Sequence, residues 1–97
     1  MPHYITLFRY TQKGAENIKQ GPSRLDAAKK ALEAGGGKLK SFYLTLGQYD
    51  AIAIAEFKND EAVAKLALAT ASQGNVRSET MRAFTEDEYR KLIASLP

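Results

Sequence analysis

Segment 46–50 joins two stretches that have the composition of β-strands, and it constrains the fold more than any other part of the chain. The flanking runs, 40–46 and 51–57, are rich in β-branched, aromatic and small apolar residues. Gly47 followed by Gln48 suits a two-residue type II′ turn, because the first central position needs a positive φ that glycine adopts without steric cost. The sequence therefore predicts a β-hairpin with a fixed register.

The register assigns every hairpin side chain to one face of the sheet, because side chains alternate between the two faces of a strand. The predicted pairs are Leu46–Tyr49, Thr45–Asp50, Leu44–Ala51 and Tyr43–Ile52. One face opposes large residues with small ones, and we assign it to the core under the helices: Phe42, Leu44, Leu46, Tyr49, Ala51, Ala53, Ala55 and Phe57. The face away from the helices, which we call the open face, mixes apolar and polar residues: Ser41, Tyr43, Thr45, Asp50, Ile52, Ile54 and Glu56. Such a mixture is typical of an interface with a partner.

Capping signals and periodicity predict the other elements. Strands are predicted over 3–11 and 76–84. Three signals begin helices: Pro22, Asn59 or Asp60, and the capping box of Thr85 with Glu88. The resulting order is β, α, β, β, α, β with a C-terminal helix. This order predicts one α+β domain over 1–97, with a ferredoxin-like four-stranded antiparallel sheet and helices on one face.

The first strand carries apolar residues on both of its faces. We place Ile5 and Leu7 toward the helices, which leaves the alternate set on the open face: Tyr4, Thr6, Phe8 and Tyr10. Aromatic rings that faced water would promote aggregation, and a second copy stacked sheet to sheet would cover them. We therefore predict a homodimer through the open face. The fourth strand cannot be sorted in this way, because both of its alternating sets are amphiphilic.

Four segments together resemble one known family: 4–11, 24–31, 38–50 and 74–85. In the third segment, Gly47, Tyr49 and Asp50 are spaced like the Gly, Tyr and Asp after which the GYD domain family is named. The resemblance covers nearly the whole chain. It implies a ferredoxin-like fold and assembly as a dimeric α/β barrel. It supplies no catalytic residue and no settled activity.

Composition argues against several kinds of site and partner. The chain has no Cys and one His, which excludes thiolate and His-rich metal sites and favours a reducing cytoplasm. No segment resembles a signal peptide, and none reaches the roughly 20 apolar residues of a membrane span. The first 40 residues carry eight Lys/Arg and three Asp/Glu. Lysines on polar helix faces usually serve solvation, so we predict no nucleic-acid partner, and nothing indicates a cofactor.

The candidate ligand-binding residues are those that we place on the open face: Tyr4, Tyr43, Thr45 and Asp50. Asp50 has two interpretations. Burial beside an aromatic ring would raise its pKa and make it an acid, because desolvation disfavours a charged carboxylate. Alternatively it accepts hydrogen bonds from backbone donors or from Thr45 and fixes the hairpin. We favour the structural role, and we interpret Tyr49 as a core aromatic residue rather than a proton donor.

Pro2 and His3 each have a catalytic and a structural interpretation. Once the initiator methionine is removed, Pro2 would offer the secondary amine that tautomerases use as a general base, and an arginine (Arg9, Arg77 or Arg82) could polarise a carbonyl. His3 could shuttle a proton. We favour the structural interpretation of both, because proline is common after the initiator methionine and a lone His often caps a strand edge.

Three functions are compatible with the sequence. The leading hypothesis is a cytoplasmic homodimer that binds a small, partly aromatic or anionic molecule between apposed sheets. The second is a cofactor-independent oxygenase or isomerase/tautomerase of the dimeric α/β barrel type, which needs a titrating group in the cavity. The third is a non-catalytic assembly or regulatory module. No specific catalytic constellation decides whether the chain is an enzyme.

Overall fold

Four antiparallel strands form the sheet in the computed structural model, which describes all 97 residues. In chain order the elements are β1 (His3–Tyr10), α1 (Gln12–Glu16), a 3₁₀ turn (Ile18–Gln20), α2 (Gly21–Ala34), β2 (Lys38–Leu44), β3 (Ala51–Glu56), α3 (Asp60–Ser72), β4 (Val76–Ala83) and α4 (Glu86–Ala94). The strands lie in the order β2–β3–β1–β4, and each neighbouring pair is antiparallel. This arrangement confirms the predicted α+β, ferredoxin-like fold.

Side-chain caps begin α3 and α4 where the sequence predicts them, whereas α2 begins at Gly21 with Pro22 in its first turn and has no side-chain cap. The side chain of Asn59 accepts a hydrogen bond from the Ala62 N–H at 2.9 Å and so begins α3. At α4 the Thr85 hydroxyl accepts from the Glu88 N–H at 3.2 Å, and the Glu88 carboxylate accepts from the Thr85 N–H at 2.9 Å. This reciprocal pair is a capping box. The hydrogen bond from the Thr85 N–H also lowers the pKa of Glu88.

The predicted register of the β2–β3 hairpin is confirmed for the two pairs within the ladder, Tyr43–Ile52 and Leu44–Ala51. Earlier in β2 a β-bulge lies between Leu39 and Ser41, which the sequence pattern did not reveal. The bulge changes the alternation of side chains at that point. As a result Leu39 packs against the core, whereas the Lys40 ammonium approaches the Glu56 carboxylate.

The connection between β2 and β3 is longer than the predicted two-residue turn. The ladder ends before residues 45–50, and Gly47 has a φ of +137° within this loop. The Thr45 N–H still donates to the Asp50 carbonyl at 2.9 Å, and the Thr45 hydroxyl donates to the Tyr49 carbonyl at 2.6 Å. The loop is therefore fixed by its own hydrogen bonds rather than by a tight turn.

The facing predicted for β1 is wrong. The register places Tyr4, Thr6 and Phe8 opposite Ala55, Ala53 and Ala51, respectively. Directly opposed residues share a face, and these three alanines are buried at 2–8% exposure. The aromatic set of β1 therefore faces the helices, because small alanines leave room for large rings. Ile5 and Leu7 lie on the open face instead.

The core between the sheet and helices α2 and α3 is centred on Tyr4. Its ring meets that of Phe57 edge to face, with 5.6 Å between centroids and 84° between planes. Leu32 and Val63 belong to the same buried cluster. The Tyr4 hydroxyl donates to the Asp60 carboxylate, and this hydrogen bond raises the pKa of Tyr4.

Three residues predicted for the core are exposed. Phe42, Leu44 and Leu46 have exposed fractions of 37%, 69% and 98%, respectively. Phe42 lines the side of the sheet under the helices, as expected, but β2 is an edge strand. Leu44 ends that strand and Leu46 lies in the loop beyond it. Their hydrophobic character therefore does not reflect burial within one chain.

Candidate functional site

The centre of the open face is a continuous apolar surface. Ile5 of β1 lies opposite Ile54 of β3, and Leu7 lies opposite Ile52. Tyr43 on β2 and Met81 on β4 extend this surface to both edges of the sheet, with exposed fractions of 60% and 45%. Because α2 and α3 pack on the other side, the four central side chains are partly exposed, and Tyr43 and Met81 are exposed.

Arg9, Tyr49 and Glu79 form a cluster at one end of the open face. The Arg9 guanidinium lies 4.7 Å from the centroid of the Tyr49 ring, and its Nε donates to the Gln48 carbonyl at 2.9 Å. The Tyr49 hydroxyl donates to the Glu79 carboxylate at 3.0 Å, which raises the pKa of Tyr49. Tyr49 therefore lies across the open face, and its predicted place in the core is wrong.

Asp50 joins the hairpin loop to β1. Its carboxylate accepts a hydrogen bond from the Tyr10 N–H at 2.9 Å. Its own N–H donates to the Phe8 carbonyl at 2.8 Å, and its carbonyl accepts from the Thr45 N–H. All three contacts involve backbone groups, which is the arrangement predicted for a structural role.

His3, Lys40 and Glu56 form a charged cluster at the other end of the open face. The Glu56 carboxylate lies 3.4 Å from His3 Nε2 and 3.8 Å from Lys40 Nζ. The second ring nitrogen of His3, Nδ1, is buried and has no hydrogen-bond partner. An apolar centre between two polar ends is the composition of many protein–protein interfaces.

The four candidate ligand-binding residues do not converge. Tyr4 is 4% exposed and lies in the core, which contradicts the predicted facing. The Thr45 hydroxyl and the Asp50 carboxylate are engaged by backbone groups of the chain. Tyr43 projects from the open face, opposite Ile52. Ligand binding by these residues stays a prediction.

The arginines considered as partners of Pro2 are widely separated. Arg9 and Arg77 lie opposite each other at the end of β1 that is distant from Pro2. The Arg82 guanidinium lies on the helix side, 5.7 Å from the Tyr4 ring centroid and 4.4 Å from that of Phe84. Only Arg82 is near the N-terminus, where its Nη1 approaches the His3 carbonyl at 3.4 Å.

Sequence reasoning missed Glu79 and misplaced Ile5 and Leu7. The alanines at every second position of β3 indicate where the two aliphatic residues lie. Each alanine leaves room for a bulky side chain on its own face of the sheet, so the aromatic set of β1 lies on that face and Ile5 and Leu7 lie on the other. Glu79 has no such signal, since its contact with Tyr49 depends on the β1–β4 register and on the course of the loop.

No group of three or more His, Asp or Glu side chains is arranged to bind a metal ion. No helix is both long enough and apolar enough to cross a membrane. The open face offers apolar contact at its centre and hydrogen bonding or ion pairing at its ends.

Fold and site together define a class of protein: a ferredoxin-like α+β domain with a partly exposed apolar sheet face. The family model of the GYD domain matches residues 4–93, and the chain belongs to the GYD domain family. The residues that match the family name are Gly47, which has a positive φ, Tyr49, which reaches Glu79, and Asp50, which holds β1.

One curated relative is 33% identical over 84 residues, which are 86% of this chain and 88% of the relative. It is the glutamine synthetase and cystathionine beta-lyase binding protein of Thermus thermophilus. A solved structure from Thermus thermophilus is 23% identical, with a TM-score of 0.55 over 88% of this chain and 95% of that one.

The fold also occurs within longer proteins. The AldR structure from Mycobacterium tuberculosis has a TM-score of 0.67 at 9% identity, and the match covers 88% of this chain and 52% of AldR. The chain thus spans about half the length of that protein. At this level of identity the likeness shows the fold alone.

Proposed function

We propose that this chain is a non-catalytic protein-binding module that acts as a homodimer, with two copies joined through their open faces. The observation that carries the proposal is the partly exposed apolar centre of the open face, formed by Ile5, Leu7, Ile52 and Ile54. Stacking two such faces would remove these side chains from water, and burial contributes about 25 cal/mol for each Å² of apolar surface. The cysteine-free composition supports a cytoplasmic location.

The polar ends of the open face can be paired in a two-fold dimer. In a two-fold dimer the same patch of both copies forms the interface, so each charged end can meet either its equivalent or the opposite end. The cluster of His3, Lys40 and Glu56 contains both signs of charge, as does that of Arg9 and Glu79. Each end can therefore offer hydrogen-bond donors and acceptors to the other copy.

We propose further that this module binds a metabolic enzyme. The name of the curated relative supports this part of the proposal, because it names glutamine synthetase and cystathionine beta-lyase as what that protein binds. A homodimer presents each exposed surface twice, which strengthens attachment to a partner that itself has several copies of one surface. A module of this kind needs no converging catalytic groups.

The enzyme-binding part is tested with purified glutamine synthetase and cystathionine beta-lyase from the organism that encodes this chain. Each enzyme is immobilised in turn, and the full-length chain is passed over it at increasing concentration. We expect saturable binding to at least one of them, and an unrelated basic protein of similar size provides the control. If neither enzyme shows saturable binding, the enzyme-binding part of the proposal is overturned. The homodimer is tested separately, by the molecular mass of the chain in solution.

A further inference from the structure

Helix α4 presents an apolar side that is about half exposed. Tyr89, Leu92 and Ile93 lie on one face of α4 at the spacing i, i+3 and i+4, and Leu96, just beyond the helix end at Ala94, continues the apolar pattern. Their exposed fractions range from 49% to 64%, and α4 packs extensively on no other element. The capping box at Thr85 stabilises the first turn of this nine-residue helix. These four side chains, which we call the α4 stripe, are available for an intermolecular contact.

The helix side of the molecule contains a matching apolar cleft. It lies between α2 and α3 and has a cavity volume of about 110 Å³. Its walls are formed by Leu25, Ala28 and Leu32 of α2 and by Val63, Leu66 and Ala67 of α3. The small side chains of Ala53 and Ala55 form its base. Hydrophobic grooves between helices commonly bind an amphipathic helix through anchors at this spacing.

Charge at the mouth of the cleft complements the start of α4. Lys29 lines the cleft, and Lys58 and Lys65 lie at the adjoining opening, together with the single acidic residue Glu61. The first turn of α4 carries three acidic residues, Glu86, Asp87 and Glu88. An α4 helix whose first turn lies at Lys58 and Lys65 would direct its apolar stripe along the cleft.

The α4 helix of the same chain is badly placed to occupy this cleft. Only residues 84 and 85 connect it to β4, and the Arg82 guanidinium stacks on Phe84 and on Tyr4 in the core. In addition, α3 packs on β4, the strand from which α4 continues, and α4 packs extensively on neither α2 nor α3. This placement favours an occupant from another molecule.

We propose that the cleft between α2 and α3 binds the α4 helix of a second copy of this chain. This occupant has an apolar stripe that matches the apolar cleft, and an acidic first turn that matches the basic mouth of the cleft. If the exchange is reciprocal, each copy donates its α4 to the other and the contact closes about a two-fold axis. Four side chains bury less surface than a whole sheet face, so this contact is weaker than open-face pairing and joins dimers at higher concentration.

Cysteine cross-linking tests the contact directly, because the natural chain contains no Cys. Full-length chains that carry Ala28→Cys, in the cleft, are mixed with chains that carry Ile93→Cys, on the stripe, and are treated with a short bis-maleimide. We expect a cross-linked product of twice the chain mass. The matched control replaces Ile93→Cys with Lys91→Cys, on the opposite side of α4, and should give only background product.

Two results would overturn the proposal. One is a cross-linked yield from Ala28→Cys with Ile93→Cys that does not exceed the Lys91→Cys control. The other is cross-linking within one chain of the Ala28→Cys/Ile93→Cys double variant, which would show that α4 occupies its own cleft. A second variant, Leu92→Asp, should abolish the species larger than a dimer at high concentration while leaving the fold intact. Persistence of that species would also contradict the proposal.

Discussion

Gly14 lies where α1 approaches the segment before β4 most closely. A Cβ atom at this position would lie 1.9 Å from the Asn75 carbonyl oxygen, which also accepts a hydrogen bond from the Thr11 N–H at 3.1 Å. The absence of a side chain therefore permits the contact that joins the end of β1 to the start of β4.

Replacing Gly14 with Ala should lower the free energy of unfolding by about 1–3 kcal/mol, because backbone must move to relieve the overlap. Urea denaturation measures the change. The matched control is Gly21→Ala, since Gly21 has a helical φ of −50° and no atom within 4 Å of an added Cβ. A loss for Gly14→Ala no greater than that for Gly21→Ala would contradict the role of the close contact.

The hydrogen bond from Tyr49 to Glu79 makes a pH-dependent contribution to stability. It raises the pKa of Tyr49 above the ordinary value of 10.0, with desolvation as the next cause, while Arg9 acts in the opposite direction. A raised folded-state pKa means that the contribution is complete below pH 10 and is lost as the pH rises through the folded-state pKa. In an NMR titration, Glu79→Gln should lower the Tyr49 midpoint toward its ordinary value. An unchanged midpoint would show that the contact is not formed in solution.

At the scale of elements, α4 is held by its cap and not by packing. Thr85→Ala should cost about 1 kcal/mol of helix stability. Because α4 packs extensively on no other element, the loss should appear as faster amide exchange in residues 86–94, with little change in the core strands. Glu88→Gln is the control, since its amide oxygen can still accept from the Thr85 N–H. Equal loss of protection throughout the domain would contradict a locally stabilised helix.

The elements were predictable because their signals are local. Asn59 and the pair Thr85–Glu88 indicate helix starts through hydrogen bonds within one turn, and all of these form. The facing of β1 was not predictable from that strand alone, because both of its alternating sets are apolar. Only its pairing with the alanines of β3 decides that Tyr4 is buried and Ile5 is not.

The site was predictable only in part, because some of its contacts join residues that are distant in the sequence. The ladder pairs around Tyr43 were correct, so Ile52 and Ile54 were placed on the open face. The course of the loop depends on contacts with β1 and β4 that are distant in the sequence, and the bulge after Leu39 depends on the pairing of β2 with β3. Tyr49 was consequently assigned to the wrong face.

At the scale of the whole molecule, the helices leave much of the apolar surface uncovered. Eight of 97 residues are buried, and the principal dimensions are 52 × 31 × 18 Å. A chain this small removes a limited share of its surface from water on folding. The proposed pairing through the open face would add burial that a single copy lacks, so stability should rise with protein concentration.

Sedimentation equilibrium at low micromolar concentration tests the homodimer most directly. The natural chain should sediment as a species of twice the 10.7 kDa mass of one copy. Ile54→Asp should reduce the mass to that of one copy with the circular dichroism spectrum retained, because a carboxylate at the centre of the interface would lose its hydration. Ala64→Asp, on the exposed surface of α3, should remain dimeric. A measured mass of 10.7 kDa for the natural chain, or an Ile54→Asp variant that stays dimeric, would contradict pairing through the open face.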